Sequence, residues 1–556
     1  MKRILLLVVA LLLMLSGCMG APPMALPAPS PELDLSDLIE GGEALNQPAR
    51  DVVAGPVFGG QLNIAIPLPR TLNPLLNSDP VVADLLRLIF EPLVVLDEQS
   101  RPVPNPAITQ SVVFSPDGNS LALTLRDNIT WEDGTAITTA DVAFSIDVLR
   151  HSAPATAIYR GNVANIASHS IIDARSIQIN LHSTTWAAKY MLAFPIIPAE
   201  YYRPVSMTNL SAARNMHPMG NGPFRFYSYE LAEHLVLFSN HTAPGGRPFI
   251  QRVNAIVMRD IDDDRVHAFE QGVVDVLLSG PGDWGRYAAR GKNRAGDFVG
   301  GEFDFIGFNF NRTLFADYEV RAAIAHSFDA EYILRRYYEP QDGTVAPINP
   351  VSWLAADGLA TRGFDIPAAQ QLFAQLGFLP GPGGVLERRL SENLPAVRLS
   401  MGILVNEENA VGVATANVLS EGLRAAGAQA TVTALPFEQF TQRISAGDFD
   451  IVVGGINLEN PPNLNFLSSQ YSVGSPVFGY RSEELDMFVS MMNRAASESS
   501  FHQAATALQH YVADNLPLLG VAFRRQVLYT SGRVGGDVQV RTNDIFANVN
   551  SWYLAN

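Results

Sequence analysis

The chain has 556 residues, with 47% hydrophobic and 17% charged, so two or three globular domains with ample core are expected. Its formal charge of −17, from 38 basic against 55 acidic residues, argues against nucleic acid or an anionic membrane surface as the main partner and favours cationic ligands near any cleft. The single cysteine, Cys18, excludes an internal disulfide and any Cys-based metal cluster.

Met1-Lys2-Arg3 and the apolar run Ile4 to Leu15 read as a signal peptide, because the run is shorter than the ~20 residues that span a bilayer. Leu15-Ser16-Gly17-Cys18 is similar to the lipobox of bacterial lipoproteins. That resemblance implies cleavage before Cys18 and lipidation of its thiol; the alternative is a plain secretory signal with an incidental cysteine. Met19 to Pro56 is rich in Pro and Ala and reads as an extended tether. No later stretch is long and apolar enough to span, so a soluble extracytoplasmic body is expected.

The body opens with a strand at Leu62 to Ile66, followed by the turn Leu72-Asn73-Pro74 and helical spacing from Val81 to Phe90. Ser115-Pro116-Asp117-Gly118 joins two strands of a hairpin, Trp131-Glu132-Asp133-Gly134 makes a second Asp-Gly turn, and Thr138 or Thr139 caps the next helix, with Asp141 at its positive end. Asp262-Asp263-Asp264 reads as a capped first helical turn and not a calcium site, with Asp262 as N-cap. Glu270-Gln271-Gly272-Val273-Val274-Asp275-Val276 is echoed by Ser445-Ala446-Gly447-Asp448-Phe449-Asp450-Ile451: helix, Gly stop, strand with an internal Asp. Shared loop chemistry would explain the echo; so would one such unit in each of two α/β lobes. Phe449 to Val453 reads as a buried strand broken by Gly454-Gly455, after which a polar loop runs through Glu459, Asn460, Pro461 and Pro462. Such a loop at a strand's carboxyl end is either ordinary surface or a place of ligand contact.

The order and spacing of Leu72-Asn73-Pro74, Glu91-Pro92-Leu93, Pro102-Val103-Pro104-Asn105, Ser115-Pro116-Asp117-Gly118, Leu125 to Gly134, Thr138 to Ser145 and Gly220-Asn221-Gly222-Pro223-Phe224 resembles one family. It is the extracytoplasmic solute-binding proteins of ABC importers, peptide/nickel type. Phe305 to Asn311, Phe315 to Ile324 and Phe364 to Phe378 continue the resemblance to the C-terminus. It implies an α/β, two-lobed periplasmic-binding-protein-like fold of the large type, with an extra subdomain in the first lobe and a two-strand hinge. The expected organisation is 1–17 signal peptide, 18–57 tether, 58–78 with 185–304 and 526–556 lobe I, 79–184 extra subdomain, and 305–525 lobe II.

The resemblance further implies a lipid-anchored, monomeric receptor that binds a peptide or similar small solute and delivers it to ABC permease subunits, with no cofactor, catalytic residue or metal site. Glu459 aligns with an Asp that pairs with the ligand's α-ammonium in peptide-binding members. Gly455, Ile456, Asn457 and Asn460 would surround it, and Asn309 and Asn73 would line the facing side. Ile456 replaces a Trp that often packs on the ligand. Asn406 and Glu408 occupy a loop that offers an Arg in some dipeptide-binding members, so with Glu407 they would favour a cationic ligand over a carboxylate. No nucleophile elbow, H-E-x-x-H or C-x-x-C appears, and His234 and His241 read as surface residues. A secreted two-lobed hydrolase and a solute sensor on the same fold are the alternatives.

Overall fold

The alternating run after Gly59 forms β1 (Gly59–Ile66), which turns Leu62, Ile64 and Ile66 inward. The computed structural model describes residues 56–556 apart from 205–206, 260, 281–292, 390, 392–394, 459, 470–477, 543 and 556. Cys18, the expected signal segment and the expected tether up to residue 55 therefore lie outside the described residues. Asp79 caps α1 (Pro80–Arg87) by accepting from the Val81 and Val82 N–H groups at 2.9 and 3.0 Å. The hairpin strands β2 (Thr109–Phe114) and β3 (Ser120–Leu125) turn at Gly118, whose φ is +72°. Thr138 and Asp141 form a capping box at the start of α2 (Thr139–His151), and Asp141 also accepts from Ala199 N–H at 2.8 Å. With β4 (Ile166–Ile171) and β5 (Ser176–Leu181) the hairpin makes an antiparallel sheet ordered β2-β3-β5-β4. This sheet lies within the segment expected to be the extra subdomain.

A second sheet, β1-β8-β7-β6, joins β1 in parallel to β8 (Ile250–Val257) and runs antiparallel through β7 (His234–Ser239) to β6 (Phe224–Glu230). The Gly220-Asn221-Gly222 turn before β6 locks onto the end of α1. Asn221 and Gly222 N–H groups both donate to Ile89 C=O, at 3.0 and 2.7 Å, and a Cβ on Gly220 would lie 2.0 Å from that oxygen. This contact leaves room for glycine alone.

The helix α3 (Ile261–Glu270) ends at Gly272 in the left-handed region, φ +76°, before β9 (Val276–Ser279). Its first residue is Ile261, so Asp262 stands inside the first turn and not before it. β10 (Asn293–Phe308) is far longer than the strand expected near Phe305. Helices α4 (Tyr318–His326), α5 (Ala330–Tyr337) and α6 (Ile366–Gln375) follow. Then come β11 (Ser400–Asn406), α7 (Ala410–Ala425), β12 (Gln429–Leu435), α8 (Phe437–Ala446), β13 (Ile451–Asn457), α9 (Glu483–Asn493), α10 (Glu498–Asn515) and β14 (Leu518–Thr530). The large sheet is ordered β9-β14-β10-β13-β11-β12, and β11, β12 and β13 run parallel.

The sequence echo has one structural meaning. Asp275 accepts from Asn63 N–H midway along β1 at 2.8 Å, and Asp450 accepts from Gly402 N–H in β11 at 2.9 Å. Each Asp, just before its own strand, ties that strand to a neighbouring one. Asp275 bonds across to β1 and Asp450 to β11, although β9 and β13 both belong to the large sheet.

Two lobes are tied together by β10 and β14. In β14, Leu519, Val521 and Ala522 belong to the core beside α7, whereas Leu528 belongs to the core built on β1 and α1. The strands pair from Asn293 opposite Thr530 to Gly307 opposite Leu518. Between them the register shifts: Val299 faces Arg525 but Phe303 faces Phe523, so Gly300, Gly301 and Glu302 stand against Arg524 alone and form a bulge at the crossing. Asn349 Nδ2 donates to Val299 and Gly300 C=O at 3.1 and 3.2 Å and braces it. No helix among the described residues is long and apolar enough to cross a membrane.

Gly220→Ala is expected to destabilise the protein by about 2–4 kcal/mol in urea unfolding, since Ile89 backbone has to move; a change below ~0.5 kcal/mol would contradict the packing. Burial pushes the Glu132 carboxyl up to about 8, against the opposing Gly220 N–H hydrogen bond and Arg225. Its raised folded value makes the neutral acid the favoured form, so its contribution is complete below the ordinary value of 4.5 and is lost as pH rises through about 8. Thermal melts from acidic to mildly alkaline pH should show a falling melting temperature in the wild type and a shallower fall in Glu132→Gln; equal slopes would refute the assignment.

Candidate ligand cleft at the carboxyl ends of β11, β12 and β13

β11 and β12 end side by side at Asn406 and Leu435, and β13 runs on past them to Asn457. Ligands in open α/β sheets bind outside such ends. The expected break at Gly454-Gly455 does not occur: β13 continues to Asn457, with Gly454 opposite Phe305, Gly455 opposite Asp304 and Asn457 opposite Glu302. The glycines serve a different end. A Cβ on Gly455 would meet Asp304 Oδ1 at 2.9 Å, so the strand passes the carboxylate only because that position is bare. β11 pairs with β13 only from Ile451 to Val453. Beyond Val453, one edge of β13 is unpaired among the described residues.

Gly455 and Asn457 are exposed on this segment and Ile456 is half-buried. Ile456 stands opposite Phe303 and packs toward the core that contains Phe303 and Leu458, so its side chain belongs partly to the framework. Asn460 is half-buried and joins Pro461 through a cis peptide. Glu459 lies outside the described residues. Asn406 sits at the same sheet end, where its Oδ1 accepts from Glu408 N–H at 3.2 Å, and Glu407 and Glu408 are exposed.

Two expected ligand contacts are corrected. Asn73 is 0% exposed; its Nδ2 donates to Asn215 Oδ1 at 3.0 Å and its Oδ1 accepts from Leu75 N–H at 3.0 Å. Asn309 is 1% exposed and donates to Gly447 and Phe449 C=O at 3.0 and 2.9 Å. Both amides are spent on holding turns, and neither is open to a ligand.

The strongest polar group at this sheet end has no counterpart in the sequence reading. Arg524 of β14 grips Asp304 through Nε and Nη2 at 2.7 and 2.9 Å and reaches Glu302 Oε1 through Nη1 at 3.0 Å. The Tyr338 hydroxyl donates to Asp304 Oδ2 at 2.6 Å, held neutral by burial and by that carboxylate. Asp304 is thus saturated. Glu302 has one partner and a side chain 48% exposed, and burial raises its carboxyl above the ordinary value against the pull of Arg524. On the opposite face the next residue, Arg525, pairs with Asp297 and with the fully buried Asp342. Partners more than 180 residues apart gave no local signal.

The lobes also meet away from the crossing strands. Trp186 N–H donates to Ala495 C=O at 2.6 Å, Trp353 N–H to Gln99 C=O at 3.0 Å, and Trp353 Nε1 to the Tyr190 hydroxyl at 2.8 Å. The Trp186 ring lies 5.0 Å from Trp353 and 5.4 Å from Phe501, and Arg101 pairs with Glu498. Among the described residues the one His/carboxylate group with metal-ligand spacing is Glu230, Glu233 and His234, on the solvated β6–β7 hairpin. The Glu230–His234 contact of 3.8 Å closes that hairpin.

Asp342→Ala leaves Arg525 without its buried partner, and about 3 kcal/mol of stability should be lost in chemical denaturation; a loss under ~1 kcal/mol would show that the pair does not hold the crossing.

Comparison with known proteins agrees with this architecture. Residues 103–476 match the family model "Bacterial extracellular solute-binding proteins, family 5 Middle". The oligopeptide-binding protein AppA of Bacillus subtilis is 21% identical over 541 residues, 93% of this chain and 95% of that protein. The solved structure of AppA in complex with a nonapeptide superposes with a TM-score of 0.62 at 19% identity, covering 90% of this chain and 100% of that one. The ABC transporter substrate-binding protein CtaP of Listeria monocytogenes gives 0.75 at 19% identity, with the same coverage. At such identities the superpositions establish the two-lobed fold. The family match goes further: the chain belongs to the bacterial extracellular solute-binding proteins of family 5, the solute-binding components of ABC importers for peptides or related solutes.

Proposed function

We propose that this chain is a lipid-anchored receptor that takes up an extended peptide between its lobes and hands it to an ABC permease. The observation that carries the reading is the bare edge of β13 at Gly454 to Asn457. It lies at the carboxyl end of the parallel strands, where main-chain N–H and C=O groups are available to an added strand. The nonapeptide held by AppA supports the choice of an extended ligand. Lobe I is taken as 58–78, 185–304 and 526–556, with 79–184 as its extra subdomain and 305–525 as lobe II. The bulge at Gly300-Gly301 serves as the pivot on which the lobes close. Cys18 supplies the anchor, and 18–57 keeps the body near the membrane.

Glu459 is assigned the ligand's α-ammonium, and Gly455 to Asn457 its backbone. A nonapeptide captured from a random pool should bind at least about tenfold more tightly in calorimetry than the same peptide N-methylated at alternate backbone positions. Equal affinities would refute strand addition. Glu459→Ala should abolish the difference in thermal shift between the free-amine peptide and its N-acetylated form; a preserved difference removes Glu459 from the site.

A further inference from the structure

We infer that Glu302 makes the cleft selective for a basic side chain on the ligand, at the residue lying against Gly455. The inference rests on the strand-addition reading above and adds a chemical class of peptide to it.

Residues directly opposite one another on neighbouring strands project to the same face, so Glu302, Asp304, Gly455 and Asn457 share one face of the sheet. A peptide strand added to the free edge of β13 would place one residue against Gly455, and that residue's side chain would leave on this same face. Gly455 puts no side chain between that residue and the two carboxylates of this face, Asp304 directly opposite Gly455 and Glu302 one pair further along, opposite Asn457. A Cβ on Gly455 would lie 3.8 Å from Glu302 Oε1, and the Cβ of a residue opposite would lie about 5 Å further on. A lysine or arginine side chain spans that gap, and no protein side chain at position 455 blocks it.

The charge is also available. Arg524 commits two nitrogens to Asp304 and one to Glu302, so the three side chains sum to one net negative charge. Asp304 is closed off by Arg524 and Tyr338, with a side chain only 10% exposed. Glu302 meets Arg524 through Oε1, the oxygen that also lies nearest Gly455, and its side chain is 48% exposed, so it keeps acceptor capacity for a second cation. A half-solvated carboxylate with spare acceptor capacity takes a cationic partner at less desolvation cost than a fully buried one. This role differs from that of Glu459, which is set for the terminal ammonium.

The test uses the full mature chain and nonapeptides captured from a random pool. Each is resynthesised with every Lys replaced singly by norleucine, which has the same apolar length and no charge. In calorimetry the wild type should bind the Lys form about tenfold more tightly than the norleucine form at one position of the peptide. Glu302→Gln, which keeps shape and removes charge, should bring that ratio to about one. A circular-dichroism melt of the unliganded variant confirms that it is folded, and Glu302→Asp, with the charge kept, should restore part of the ratio. A wild type with no Lys preference, or a ratio unchanged in Glu302→Gln, overturns the inference while nonapeptide binding keeps the strand-addition reading intact. Failure of the wild type to bind any nonapeptide overturns both.

Discussion

The crossing of β10 and β14 is the constraint on which the rest of the molecule depends. Two strands run from one hydrophobic core into another, so the relative placement of the lobes is set by how those strands pair and where they bend. The largest break in their register lies at residues 300–302, and ion pairs bracket it on both faces: Arg524 with Asp304 and Glu302, Arg525 with Asp297 and Asp342. The pairs on Asp304 and Asp342 are largely or fully desolvated, where loss of one partner is costly, so they fix register more firmly than surface pairs do. Under the proposed closure, rotation would fall on the few residues between the pairs.

The proposed pivot and the proposed binding strand touch one another. Leu458 N–H donates to Gly301 C=O at 2.8 Å, and a Cβ on Gly301 would lie 2.6 Å from Asn457 Oδ1. The end of β13, the bulge and the Arg524 cluster are therefore in direct contact. A ligand strand laid along Gly454 to Asn457 would press on the element about which the lobes close. The aromatic contact of Trp186 with Trp353 and Phe501 adds a second meeting point between the lobes.

Much of the fold was legible because its signals are local. The Asp-Gly turns, the Thr138–Asp141 capping box, the glycine stops at 272 and 447 and the ordered motifs up to Gly220-Asn221-Gly222 all lie within a few residues of what they cause. The site was legible only in outline. Gly454-Gly455 looked like a strand break because a glycine pair in isolation is a punctuation mark. Its reason, the Asp304 carboxylate on the neighbouring strand, lies 151 residues before Gly455. Asn73 and Asn309 looked like ligand contacts because Asn in a turn is equally suited to satisfying backbone, which is what both do. Glu302 and Arg524 carried no pattern at all, since only the three-dimensional register brings them together.

The claim at the centre of this account is that solute binds as an added strand on β13. Amide hydrogen exchange, followed with and without a saturating nonapeptide from a random pool, tests it most directly. Slowed exchange concentrated at Gly454 to Asn457, together with the adjoining bulge, is the result the account requires. Ligand-dependent protection elsewhere in the cleft, with the amides of Gly454 to Asn457 unchanged, would contradict it.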